Sequence, residues 1–223
     1  MLSGNWDFWM FFGSSIDMIT AISILIIIIA SGIVSSEFSS GTVKFLLINP
    51  VSRWKILVSK YASLLSVTFA MLLICYISSA IFSGVFSGFQ DIGAPYLYVS
   101  GEQVQSGSSF LFMAWRYLLG SIELIMMATL AFTLSSLTRN SAISIGLGVS
   151  LFLVGGTVTS FLATNQLDWA RYMLFANTNL NYISMKLTPF LGHTITFALI
   201  VLAVYMGVFW LTAWDGFVRR DVR

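Results

Sequence analysis

The chain has 223 residues, of which 57% are hydrophobic and only 9% charged, and its formal net charge is +2. Soluble domains carry about 25% charged residues, and one of this length could not bury so much apolar sequence. The small charge, with no basic stripe interleaved with aromatics, also excludes a nucleic-acid partner.

The composition suits an all-α polytopic membrane protein forming a single transmembrane domain over residues 1–223. A hydrocarbon core needs about 20 consecutive apolar residues in a helix. Five stretches meet that requirement, at 16–34, 56–86, 110–137, 142–163 and 190–213. They are long and uninterrupted, without the two-residue alternation of barrel strands. Residues 1–15 read as an external loop. Segment 35–55 is basic and amphipathic. Segment 89–109 is rich in Gly, Ser and Gln and reads as an exposed external loop. Segment 164–188 is a second external loop, with Trp169, Tyr172 and Tyr182 suited to an interfacial position.

The distribution of Lys and Arg orients the helices. With 35–55 in the cytoplasm, Lys44, Arg53, Lys55, Lys60, Arg139, Arg219, Arg220 and Arg223 share one side. Only Arg116, Arg171 and Lys186 fall on the other. The C-terminus is then cytoplasmic and the N-terminus external. Nothing before Ile16 resembles a signal peptide, so the expectation is that an earlier span is missing from this sequence.

Segment 35–60 reads SSEFSSGTVKFLLINPVSRWKILVSK. Val43, Leu46, Leu47, Pro50, Val51 and Trp54 share one helical face. Proline disfavours helical geometry at the preceding residue, so Asn49–Pro50 should interrupt the helix. Ser52 should then cap the next helix through its hydroxyl. Periodicity alone supports two readings equally: a surface helix that anchors a loop, or one that docks a partner.

The order Glu37, Gly41–Thr42, Leu46–Leu47, Pro50, Ser52–Arg53 and Lys60 resembles the first cytoplasmic loop of type-2 ATP-binding-cassette (ABC) exporter permeases. In that family the loop contains an amphipathic coupling helix that docks on the ATPase subunit. The resemblance implies six spans in the whole family fold, the first absent here. It also implies a partly re-entrant helical hairpin at 164–188 and a location in a bacterial plasma membrane. Glu37, Gly41, Thr42, Lys44, Pro50, Arg53 and Trp54 become the implied ATPase contacts. No Gly-x-x-x-x-Gly-Lys-Ser/Thr run occurs in the chain. The resemblance therefore implies no enzymatic activity and no cofactor in this chain, with ATP and Mg on a separate ABC ATP-binding subunit. The remaining implied partners are a second permease copy or paralogue, membrane lipids and an exported substrate.

Within the spans, Glu123 lies half way along the third. Arg116 precedes it by two turns on the same face, and Asp17 opens the first span. Intramembrane charges are costly and normally face protein or water. The three residues read either as a polar patch on a substrate path or as structural ion pairs and snorkelling side chains. Gly146, Gly148, Gly155 and Gly156 suit close helix packing. His193 is the single histidine and Cys75 the single cysteine, so neither a transition-metal site nor a catalytic residue is expected. The function implied is that of an ABC exporter permease. The alternative is a secondary transporter or channel driven by an ion gradient.

Overall fold

A computed structural model describes residues 8–41, 52–88, 93, 95–100, 103–138, 140–190 and 192–219. Five of its helical segments are long and apolar enough to cross a membrane. The first begins with α1 (Phe8–Ser14), passes through a 3-10 turn (Ser15–Asp17) and continues as α2 (Met18–Ser39). The others are α3 (Arg53–Ser87), α4 (Ser109–Leu137), α5 (Ser141–Thr164) and α8 (Ile195–Trp214). Between α5 and α8 lie a 3-10 turn (Asp168–Tyr172) and two one-turn helices, α6 (Leu174–Thr178) and α7 (Leu180–Ser184). A π-helical turn, Asp215–Arg219, follows α8. The protein is a multi-pass membrane protein, because helices of this length satisfy their backbone groups internally and can present apolar side chains to lipid.

Local chemistry sets the helix ends. Gly41 has φ +71° and Gly88 has φ +72°, left-handed values that glycine adopts without a Cβ clash. The Gly88 N–H closes α3 on the Gly84 carbonyl at 2.9 Å. Asn140 starts α5 by accepting the Ala142 N–H at 2.9 Å, and Thr194 starts α8 by accepting the Phe197 N–H at 3.3 Å. Ser52 departs from expectation. It occupies the N-cap of α3 in extended geometry, but its hydroxyl makes no capping bond. Its carbonyl instead accepts the Lys55 and Ile56 N–H groups.

Helix α4 runs through the middle of the bundle. Every residue from 126 to 133 is buried, and 67% of its most apolar stretch is enclosed, against 11% for α5 and α8. The core joins Ile26, Ile27, Ala30 and Val34 of α2 to Met127, Ala128, Ala131 and Phe132 of α4, with Leu57, Tyr61 and Leu64 of α3. Polar side chains stitch these apolar surfaces. Ser135 Oγ accepts the Val34 and Ser35 N–H groups, each at 3.0 Å, and Tyr61 shares a 2.8 Å bond with Thr129. Small residues permit such approach between membrane helices.

Three segments expected as loops carry structure, one of them the 164–188 stretch that holds the 3-10 turn, α6 and α7. Residues 8–14, assigned above to an external loop, form α1. Phe8, Trp9 and Phe12 are buried, and Phe12 meets the rings of Tyr76 and Tyr117 at 5.3 and 5.6 Å. Burying these aromatic rings offsets the cost of ordering a helix too short to stand alone. Within 89–109, strands β1 (Tyr96–Ser100) and β2 (Gln103–Gly107) pair antiparallel, Tyr96 opposite Gly107 and Ser100 opposite Gln103.

Candidate functional site

The bundle has a basic end, carrying Arg53, Lys55 and Lys60, and a far end where α6 and α7 lie. At the basic end, α2 leads out to Gly41 and α3 returns from Ser52. Lys60 Nζ donates to Glu37 Oε1 at 2.5 Å and to the Ile33 carbonyl at 2.9 Å. The two side chains are 15% and 25% exposed, so the pair is largely shielded from water. One strong bond therefore ties the last turns of α2 to the first turns of α3. Phe38 packs edge-on against Phe217 of the π-helical turn, with ring centroids 6.3 Å apart.

This geometry separates the residues implied as partner contacts. Glu37 is committed to Lys60 within the chain. Gly41 is exposed. Trp54 is 44% exposed, with the Lys55 ammonium 5.8 Å from its ring. Arg53 opens α3 beside them. Thr42, Lys44 and Pro50, and the amphipathic helix to which they were assigned, lie outside the described residues.

At the far end a cavity of 670 Å³ reaches from the middle of α4 to segment 175–190. Glu123 of α4 lines it, with Thr20 of α2, Phe152, Thr157 and Ser160 of α5, and Phe175, Asn179, Tyr182 and Phe190. No described residue forms an ion pair or hydrogen bond with the Glu123 carboxylate. Asp17 and Arg116 do not line this cavity. Asp17 is exposed, and Arg116 sits higher on α4, where its carbonyl accepts from Asn181 Nδ2 at 3.3 Å. The three charges grouped by sequence are therefore dispersed. Thr20, Asn179 and Tyr182 were not anticipated, since only the fold brings such distant positions together.

The glycines divide similarly. A Cβ on Gly155 would overlap the Phe175 ring, and one on Gly148 would press on Ile27 and Ser31 at 2.9 and 3.0 Å. Gly146 and Gly156 open on free space. Gly155 thus seats the ring that forms one wall of the cavity.

Beside the cavity, His193 Nε2 lies 2.9 Å from Asn177 Oδ1. Asn177 spends both amide hydrogens on the Arg171 and Met173 carbonyls, at 2.9 and 2.8 Å. Its oxygen therefore accepts, and His193 donates from Nε2. His193 Nδ1 is buried with no partner among the described residues. Burial, reinforced by the Arg171 guanidinium, holds the imidazole pKa below its ordinary value of 6.5. A lowered histidine pKa means the unfolded chain takes up the proton first. The contribution is neutral above the ordinary pKa, and stability is lost as pH falls below it. Thermal unfolding followed from about pH 7.5 to about pH 5.5 should show a steeper loss in the wild type than in His193→Gln. Parallel curves would contradict the lowered pKa of His193.

The family model described as "Protein of unknown function (DUF2705)" matches residues 1–223. The chain belongs to the DUF2705 family. Among its relatives in Bacillus subtilis (strain 168) is the uncharacterized protein YhcI, 37% identical over 219 residues, a match covering 96% of this chain and 69% of the relative. The uncharacterized membrane protein YdbK is 33% identical over 202 residues, covering 89% of this chain and 77% of the relative. The description of YdbK as a membrane protein agrees with the five apolar helices of this DUF2705 chain.

Proposed function

We propose that this DUF2705 protein is the permease subunit of an ATP-driven ABC exporter, working as a dimer and coupled to a separate ATPase subunit through segment 35–55. The observation that carries this reading is the order of residues from Glu37 to Lys60, whose ends are held together by the Glu37–Lys60 bond. That bond makes the end of α2 and the start of α3 move together. A push on the loop is then passed to α2 and α3 as a rigid-body shift between packed states. Trp54 and Arg53, at the start of α3, are residue types that concentrate binding energy at interfaces. Glu37 acts as the internal tie of the loop, and its neighbours form the docking face.

The test is ATP hydrolysis in proteoliposomes holding the chain, with any upstream span its gene encodes, and a candidate ABC ATPase encoded beside it. Hydrolysis should rise when the permease is present, and Trp54→Ala should lower that stimulation by about tenfold. Hydrolysis indifferent to the permease would count against the pairing. A second reading is favoured by one observation: Glu123 stands halfway along α4 with no described partner for its carboxylate, as the coupling residue of a gradient-driven transporter would. Transport that persists without any ATPase and collapses with the ion gradient would select that reading.

A further inference from the structure

We propose that the cavity between Glu123, Phe152, Phe175, Tyr182 and Phe190 binds an organic cation with an apolar body, and that this is the class of substrate the protein moves. The proposal deepens the transport reading by naming its cargo, and its binding step does not depend on an ATPase.

Three observations converge. The cavity measures 670 Å³, within the range of about 300–1,000 Å³ that accommodates small organic ligands. Its one ionisable carboxylate, Glu123, has no cation paired with it among the described residues. When ionised, a carboxylate enclosed away from water attracts positive charge far more strongly than it would in water. Phe152, Phe175, Tyr182 and Phe190 supply aromatic surface, which favours an apolar body and adds attraction for a cation lying over a ring.

The alternatives fit less well. A metal ion needs several hard or nitrogen ligands, and no group of three or more His, Cys, Asp or Glu side chains is placed to hold one among the described residues. An anion would be repelled by Glu123, and no Lys or Arg lines the cavity. A neutral apolar ligand would leave the carboxylate without a counter-charge. The hydroxyls of Thr20, Thr157 and Ser160 add hydrogen-bond capacity around the charged head.

The experiment uses the full chain in nanodiscs, with no ATPase present. Tetraphenylphosphonium serves as a permanently charged apolar cation and triphenylphosphine oxide as its neutral counterpart. Saturable binding of the cation, at least about tenfold tighter than that of the neutral compound, is expected. Glu123→Gln should weaken the cation by a similar factor and leave the neutral compound unchanged. Equal binding of the two compounds, equal binding in wild type and Glu123→Gln, or no saturable binding in the wild type would each overturn the proposal. Should Glu123→Gln fail to fold, Gly156→Met decides. Gly156 lines the cavity on α5, where no atom lies within 4 Å of an added Cβ, and the substitution keeps the carboxylate. Loss of cation binding in that variant supports the site, and retention overturns it. A failed ATPase pairing alongside intact cation binding would remove the ABC reading and leave this one standing.

Discussion

Lys60→Met should destabilise the folded protein by about 2–3 kcal/mol. Breaking a fully buried ion pair by removing one partner costs about 3–5 kcal/mol, because the remaining charge is stranded. The 15% and 25% exposure of Lys60 and Glu37 lets water recover part of that cost. Lys60 also closes on the Ile33 carbonyl, so the substitution removes two bonds at once. Glu37→Gln should cost less, since an amide oxygen still accepts from the ammonium. The double variant should be more stable than the two single losses added together, because neither charge is then left alone. Unfolding in mixed micelles gives the three values. Additive losses would show that the pair is not coupled. The same logic warns that Glu37→Ala would confound any docking experiment, as it loosens the loop before a partner arrives.

Gly155→Ala should cost about 1–3 kcal/mol, against a helix preference that favours alanine by about 1 kcal/mol. The added methyl group has to enter space occupied by the Phe175 ring, and that ring is itself held between α5 and the core. Gly156→Ala, one position along, meets nothing and should be neutral or slightly stabilising. The contrast between neighbouring glycines isolates packing from helix propensity, which both substitutions share. Phe175→Leu should be mildly destabilising alone and should restore much of the loss in Gly155→Ala. Equal effects at 155 and 156 in unfolding measurements would contradict the packing of α6 against α5. Because Phe175 walls the cavity, Gly155→Ala should also weaken any ligand held there.

The spans were legible because lipid admits long apolar runs and little else, so α3, α4, α5 and α8 stand out in composition alone. Helix α1 was not. Phe8, Trp9 and Phe12 form too short a run to span, and their reason for being helical is the contact of Phe12 with Tyr76 and Tyr117, far along the chain. The β1–β2 hairpin was obscured by its setting. Tyr96, Leu97, Tyr98 and Val99 have strand-forming character, but the surrounding Gly, Ser and Gln read as a loop. At the candidate sites, Glu123 could be singled out from its cost in a membrane. Its company could not, because Thr20, Ser160 and Asn179 carry no shared pattern and meet only through folding. Glu37 and Lys60 were both legible as members of one motif. Their direct bond was not, since it depends on how α2 and α3 cross.

Co-purification separates a segment 35–55 that docks an ATPase from one that does not. The chain, with any upstream span its gene encodes, would be expressed with the candidate ABC ATPase in one membrane and captured by a tag. Wild type would be compared with Arg53→Ala and Trp54→Ala, which leave the Glu37–Lys60 tie in place. The ATPase should be recovered with wild type, and Trp54→Ala should reduce the recovery by about tenfold while the permease itself stays folded. A well-folded permease that recovers no ATPase from a panel of candidates, or that recovers one equally in all three forms, would contradict the docking.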